Sequence, residues 1–149
     1  MNIKNYKPLR LMAADSEDVE VVSACLQDAV MKVGDMAFLP KEHRFAFVAN
    51  RFVWEEGANR KRGPFIRVRT GVHFDDVTGV KARNIRQDAK SAVVSLLAVR
   101  FEQAANDDCR LLLEFAGGGE ISLEASAVNI ALSDISDPWR TQSKPEHDA

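Results

Sequence analysis

Ten residues near the middle of the chain, FIRVRTGVHF at positions 65–74, alternate between apolar and polar side chains. One face of an extended chain would carry Ile66, Val68, Thr70, Val72 and Phe74, and the other would carry Arg67, Arg69 and His73. A period of two is the period of a β-strand, since successive side chains point to opposite sides of a sheet. The segment therefore predicts a half-buried strand with a basic outer surface.

Similar β-type runs occur along most of the chain, bounded by turn residues. We predict further strands at 9–13, 29–33, 36–39, 45–54, 77–85, 93–102, 110–115 and 121–125. Val128, Ile130 and Leu132 also alternate, which favours a strand, although a terminal helix over 126–134 remains the alternative. Residues 55–63 have no periodicity and are typical of an exposed loop.

One segment has helical spacing instead. Asp15 and Ser16 supply an N-cap, and acidic residues follow in the first turn, where they suit the helix dipole. Val19, Val22 and Leu26 then recur on one face, so we predict a helix over about 16–27.

About eight short strands with one N-terminal helix predict an α+β fold, mostly antiparallel and roll-like or barrel-like. We expect a single domain over residues 1–135 and a loose polar tail over 136–149, where Pro138 and Pro145 lie. Arg51-Phe52 and Arg100-Phe101 each precede a polar loop and a strand. Whether the two β-rich halves of the chain arose by an ancient duplication is therefore an open question.

The chain carries no signal for a membrane or for secretion. Its longest nearly uninterrupted apolar run, Ala92–Val99, falls far short of the ~20 residues that cross a bilayer, and no apolar core follows the N-terminal MNIKNYKPLR. Cys25 and Cys109, the two cysteines, are too far apart in sequence to indicate a zinc site and are expected to be buried thiols. A reducing cytoplasm is the compartment that fits.

Gly117, Gly118 and Gly119 form the segment that most resembles a phosphate-binding loop. Such a loop needs a lysine and a serine or threonine after its last glycine, followed by a helix. Here Glu120 follows instead, and residues 121–125 alternate as a strand. The glycines therefore predict a hairpin turn.

Charge is distributed unevenly along the chain. Residues 41–86 contain eleven lysines and arginines against five acids, a net charge of +6, which leaves −8 elsewhere for a total of −2. Candidate residues for binding an anion or a partner are Arg51, Arg60, Lys61, Arg62, Arg67 and Arg69. Phe65, Trp54 and His73 lie among these cations and offer rings on which bases could stack. The cations suit an acidic protein surface or a phosphate backbone, so we predict a protein or a nucleic acid as the partner. The alternative is an ordinary solvated sheet face, which a sequence pI near 5.9 favours.

His73 with Asp75 and Asp76 is the one place where a histidine and carboxylates lie close in sequence. These residues supply neither a nucleophile with its base nor the three or four ligands of a metal site. We therefore expect no catalytic residue, no metal and no cofactor. The alternative is a small-ligand or enzyme site assembled from distant residues, with Arg51 and Glu55 joining His73 and Asp75.

Four segments together resemble one known family. They are LRLMAADSEDVEVVSACLQDAVMKVGDMAFLP, FAFVANRFVWE, RVRTGVHFDDVTGVKARNI and LEFAGGGEISLE with the later DPWRTQSKPEH. They are similar to DUF2948, an uncharacterised bacterial family found mainly in alphaproteobacteria, and the resemblance covers about Leu9 to His147. The most specific marks are 27–29, 50–52 with Trp54, and 115–119. The resemblance implies a bacterial cytoplasmic protein of one domain, and it implies no activity.

The sequence therefore favours a non-enzymatic binding or adaptor domain that recognises a protein or an anionic partner through its basic middle region. A homodimer formed through strand edges is a further hypothesis.

Overall fold

The computed structural model describes residues 6–53 and 65–141. Its strands are β1 Arg10–Ala13, β2 Val30–Lys32, β3 Met36–Leu39, β4 Arg44–Phe52, β5 Phe65–Phe74, β6 Val77–Arg83, β7 Val93–Gln103, β8 Cys109–Phe115, β9 Glu120–Ala125, β10 Ile130–Asp134 and β11 Trp139–Thr141. The helix is α1, Ser16–Leu26. The predicted α+β class, mostly antiparallel with one N-terminal helix, is confirmed.

Helix α1 begins where the sequence predicts. The Asp15 side chain accepts a hydrogen bond from the Asp18 backbone nitrogen at 2.9 Å, which caps the helix, and Glu17 adds a negative charge in the first turn. Val19, Val22 and Leu26 are buried, as their spacing predicts.

The strands form one antiparallel sheet in the order β1-β10-β5-β4-β2-β7-β8-β9-β6, with β3 added to β4 and β11 added to β5. We call β1, β10, β5, β4, β3 and β11 the first half, and β7, β8, β9 and β6 the second half. The short strand β2 joins them, since Val30 pairs with Asn50 of β4 and with Ser95 of β7. The end strands β1 and β6 are not paired with each other in the described order, so the sheet is open and the barrel-like description holds only loosely. The described strands number eleven where about eight are expected, and β11 is the strand that no sequence pattern predicts.

Both halves turn one face towards a common hydrophobic core, on which α1 also packs. Phe45, Phe47 and Phe74 stand at its centre, with ring centroids 6.3–6.5 Å apart. A smaller cluster of Val53, Ile66 and Val68, with Tyr6 against it, lies at the far end of β5. Burial of the even-numbered residues of β5 confirms the predicted alternation.

The C-terminal segment is a strand and not a helix. β10 lies between β1 and β5, with Leu132 opposite both Leu11 and Val72. The helical alternative over 126–134 is therefore wrong, because inward-pointing Ile130 and Leu132 satisfy a period of two. Within the segment 136–149 that we expect to be a tail, β11 adds to β5, with Trp139 opposite Arg67.

The two cysteines differ in exposure. Cys109 is buried, and burial raises the pKa of its thiol, with the charges of Asp108 and Glu124 acting in the same direction. Cys25 is only partly buried, so the prediction of two buried thiols is right for Cys109 alone. Among the described residues, no helix is both long and apolar enough to cross a membrane.

The three glycines form the turn between β8 and β9, as predicted. Gly117 has φ +86° and Gly118 has φ +94°, conformations that side chains other than glycine's rarely adopt. The Phe115 backbone nitrogen donates to the Gly119 oxygen at 2.9 Å, which closes the hairpin.

We predict that Gly118→Ala lowers the free energy of unfolding by about 1–2 kcal/mol. Nothing lies within 4 Å of a Cβ added at this position, so the cost comes from the backbone alone. Gly118→Asn is the matched control, since asparagine tolerates positive φ and should cost less. Urea denaturation measures both, and an equal loss in the two variants would contradict the explanation.

Candidate binding face

The outer face of the first half lies on the side of the sheet opposite to the core and α1, and its residues are exposed or partly buried. We call this surface the basic face. On the strands β1, β10, β5 and β4, its residues are Arg10, Met12, Ala131, Ser133, Arg67, Arg69, Gly71, His73, Arg44, Ala46, Val48 and Asn50. The odd-numbered residues of β5 confirm the predicted outward set.

Small side chains occupy the middle of the basic face. Ala46 and Ala131 flank His73 in the sheet, and Val48 and Ser133 flank Gly71. Large apolar side chains surround this flat area. Met12 is 73% exposed and Ile135 is 57% exposed, and Ile135 lies close to Gly71. The surface is therefore shallow and partly apolar.

Two arginines of the predicted site lie side by side at one end of this face. The Arg67 guanidinium stacks 3.7 Å from the centre of the Phe52 ring and donates to the Asn50 backbone oxygen at 3.1 Å. Burial lowers the pKa of Arg67, although the charge of Asp28 acts in the opposite direction. Arg69 is exposed, and its backbone nitrogen donates to the Ser136 hydroxyl at 2.9 Å. Arg67 is thus held in place, while the Arg69 side chain faces solvent.

The cations of the two halves differ in how they are neutralised. On the second half, the Arg110 guanidinium lies 2.8 Å from Glu124 and 3.1 Å from Glu102, and Arg100 lies 2.5 Å from Glu114. Arg83 lies 3.5 Å from Glu120. On the first half, no carboxylate of the described residues lies within ion-pair distance of Arg10, Arg67 or Arg69. The positive charge of the basic face is therefore compensated only in part, by Asp75 beside Arg44 and by the charge of Asp28 near Arg67.

Arg51 does not belong to this face, and its prediction as a surface residue is wrong. Its side chain is fully buried and forms a two-pronged pair with Asp134, with Nε at 2.9 Å from Oδ1 and Nη2 at 2.8 Å from Oδ2. Arg51 has the same phase as Phe45, Phe47 and Ala49 on β4, so it points inward with them. This shared phase is the sequence signal that predicts an inward direction for the Arg51 side chain.

The Asp134 carboxylate is the centre of a polar cluster. Besides Arg51, it accepts hydrogen bonds from the Thr70 hydroxyl at 2.9 Å, the Leu9 backbone nitrogen at 2.8 Å and the Tyr6 hydroxyl. Burial alone would raise the pKa of Asp134, but the hydrogen bonds from Arg51, Tyr6 and Leu9 and the charge of Arg51 outweigh it and hold the pKa below its ordinary value. The cluster is buried and satisfied, so its role is structural.

His73 and Asp75 do meet, at the other end of the basic face. His73 Nδ1 lies 3.1 Å from Asp75 Oδ2, and Arg44 Nε lies 2.7 Å from Asp75 Oδ1. Burial raises the pKa of Asp75, but Arg44 and His73 outweigh it and keep the pKa low. Asp76 instead accepts a hydrogen bond from Asn129 at 3.2 Å in the adjoining turn. The carboxylate is thus paired with the Arg44 guanidinium and lies beside the His73 ring.

The alternative small-ligand or enzyme site combines Arg51 and Glu55 with His73 and Asp75. Arg51 lies opposite Val68 on the neighbouring strand, while His73 lies opposite Ala46, so the structure does not bring Arg51 to His73 and Asp75. Glu55, Trp54, Arg60, Lys61 and Arg62 lie outside the described residues. Within the described part of the chain, no group of three or more potential metal ligands occurs.

Sequence reasoning missed Arg10, Met12 and Ile135 as members of this surface. Arg10 and Met12 alternate with Leu11 and Ala13, which was a usable signal for their outward direction. Ile135 follows the end of β10, where periodicity gives no information.

The family comparison agrees with the resemblance seen in the sequence. A family model described as "Protein of unknown function (DUF2948)" matches residues 9–147. No curated protein and no solved structure matches the chain.

We predict that Asp134→Asn lowers the free energy of unfolding by about 3–5 kcal/mol, because it removes the negative charge that pairs with the buried Arg51 guanidinium through two hydrogen bonds. The double variant Arg51→Met with Asp134→Leu removes both charges and should be more stable than Asp134→Asn alone. Urea denaturation of the two variants measures this. If Asp134→Asn costs less than about 1 kcal/mol, the pair contributes no more than a surface ion pair.

The lowered pKa of Asp134 also predicts an acid sensitivity. A carboxyl whose pKa is depressed by folding stabilises the fold above its unfolded pKa of about 3.9, and this contribution is lost as the pH falls through the folded pKa. Stability should therefore decline below about pH 4–5, and the decline should be shallower in the double variant. If the free energy of unfolding depended on pH in the same way in the unmodified protein and in the double variant, the acid sensitivity could not be assigned to Asp134.

Proposed function

Because this chain belongs to DUF2948, a family of unknown function, we propose its role from its own surface: a binding domain that recognises an acidic protein surface through the basic face. One observation carries the proposal. Among the described residues, Arg10, Arg67 and Arg69 form no ion pair with a carboxylate, although the charge of Asp28 acts on Arg67, whereas the arginines of β6, β7 and β8 are paired with glutamates. A cation without a local partner retains its full attraction for an external carboxylate.

The geometry of the arginines suits a protein ligand. Arg67 is immobilised by the Phe52 ring and the Asn50 oxygen, so less conformational entropy is lost when it binds a carboxylate. Arg69 lies next to Asn50 in the sheet and faces solvent. A guanidinium binds a carboxylate through two parallel hydrogen bonds, which fixes orientation as well as adding energy.

The apolar residues of the face favour a protein over a nucleic acid. Met12, Ile135 and Trp139 are exposed around the small side chains at its centre. Methionine, aromatic residues and arginine are enriched in protein interfaces. A whole-chain charge of −2 repels a polyanion at a distance, whereas a local acidic patch feels mainly the nearby arginines.

We include Arg60, Lys61 and Arg62 in the proposed binding surface on sequence grounds. Arg62 precedes Phe65 by three residues, so at most ~11 Å of extended chain separates their Cα atoms. Phe65 begins the strand that carries Arg67 and Arg69. The three cations therefore add to the field at this end of the face. We also propose that the domain works in the cytoplasm, where thiols such as that of Cys109 stay reduced.

The proposal predicts that a photo-crosslinking amino acid at position 69 captures an acidic protein in the cells that produce this chain. The matched control is the same amino acid at position 83, since Arg83 is also exposed on a strand but is paired with Glu120. Adducts should form at position 69 and not at 83, and mass spectrometry identifies them.

Arg69→Glu should also reduce recovery of that partner by about tenfold, and raising the salt concentration should have the same effect, since exposed charge pairs are screened. Adducts that disappear on nuclease treatment would show a nucleic-acid partner instead. The absence of any adduct specific to position 69 would refute the proposal.

A further inference from the structure

Strand β7 has an edge that its neighbours cover only in part. β2 pairs with residues 93–95 of that edge. Next to them, the Leu96 backbone nitrogen donates to Ala29 at 2.8 Å, and the Leu96 oxygen accepts from Asp28 at 2.7 Å. Beyond Leu96, the Val99 backbone nitrogen donates to the Ser23 hydroxyl of α1 at 2.9 Å. The strand itself continues to Gln103.

The Val99 contact shows which residues point towards this edge. Along an antiparallel strand, successive residues direct their backbone N–H and C=O groups to opposite sides. Since Val99 directs its N–H away from β8 and towards α1, Phe101 and Gln103 do the same. No strand of the described residues pairs with Phe101 or Gln103 on that side. Four backbone groups therefore lie along an open edge.

A groove runs beside this edge, between α1 and β7. It consists of two adjoining hollows of about 420 and 410 Å³, which share Glu20, Val99 and Arg100 in their walls. The hollow nearer the open edge is also lined by Glu17 and Phe101.

The charge of the groove is negative. Glu17 and Glu20 are exposed on α1, and no cation of the described residues lies within ion-pair distance of either. Arg100, the cation among the lining residues, is 2.5 Å from Glu114 and is thereby neutralised. An occupant with basic side chains is therefore favoured over a neutral or acidic one.

We propose that the groove binds an extended segment of another protein, which adds a short strand to β7 at Phe101–Gln103 and directs basic side chains to Glu17 and Glu20. Main-chain hydrogen bonds to an exposed strand supply affinity, and the side chains on one face of the added strand supply specificity. Glu17 and Glu20 lie one helical turn apart, about 5–6 Å between their Cβ atoms, and alternate side chains of a strand lie about 6.6 Å apart. Lysines or arginines at alternate positions therefore match the two glutamates. This site lies apart from the basic face and does not depend on the function proposed for it.

The test is a titration of the full chain with a short acetylated peptide of alternating lysine and valine, followed by amide nuclear magnetic resonance. We expect saturable shifts at Phe101 and Gln103 and slower hydrogen exchange of both amides. A peptide with glutamate in place of lysine should not bind. Methylating the peptide's backbone nitrogens on one edge should abolish binding, whereas methylating those on the other edge should leave it intact, since only one edge can pair with β7.

Glu20→Lys should weaken binding of the lysine peptide by about tenfold, and the exposed control Glu42→Lys should leave it unchanged. Circular dichroism verifies that both variants are folded. Shifts that map away from Phe101 and Gln103, equal binding of the glutamate peptide, or binding that tolerates methylation of either edge would each overturn the proposal.

Discussion

The pair between Arg51 and Asp134 is the interaction on which the first half of the sheet depends. A guanidinium that is fully buried requires a counter-charge with good geometry, and Asp134 provides both oxygens within 2.9 Å. The same carboxylate also binds the Thr70 hydroxyl and the Leu9 backbone nitrogen, so β4, β5, β10 and the chain before β1 meet at one group. Tyr6 links the smaller hydrophobic cluster to it. Unlike apolar contacts, this arrangement is tied to one register of β10, because a shift by one residue would turn Asp134 to the outer face and away from Arg51.

Local patterns determine the features that the sequence predicts correctly. The alternation in β5, the capped helix α1 and the glycine turn each depend on residues that lie close together in the chain. The site is only partly predictable. The sequence shows which residues are cationic, but the side of the sheet to which each side chain points depends on its phase in the strand. Arg67 and Arg69 point outward, as the alternation in β5 predicts. Arg51 is grouped with them as a candidate binding residue, but it shares the phase of Phe45 and Phe47 and points inward. Asp134 could not be singled out as its partner, since that choice needs the pairing of β10 with β5. The groove was equally hidden, because α1 and the end of β7 are distant in sequence and adjacent only in the fold.

The outer surfaces of the two halves illustrate two ways in which a sheet can be kept compatible with water. The second half pairs its arginines with glutamates across neighbouring strands, as Arg110 does with Glu102 and Glu124, and its field cancels at short range. The first half combines arginines that form no ion pair among the described residues, such as Arg69, with exposed apolar side chains around a central area of alanine and glycine. Only the arrangement of the first half leaves a net positive field together with exposed apolar surface, and these are the two properties that association with another protein uses.

The position of Asp134 in the chain also constrains when the protein can fold during synthesis. Arg51 leaves the ribosome first, and its partner follows 83 residues later. At about 5–20 residues per second, translation leaves this arginine without its counter-charge for roughly 4–17 s. β1 remains without its partner strand for longer still, because it pairs with β10 and its residue Arg10 lies opposite Ser133. The first half therefore cannot close around its core until β10 has emerged, and a nascent chain cut short before β10 should remain a substrate for chaperones.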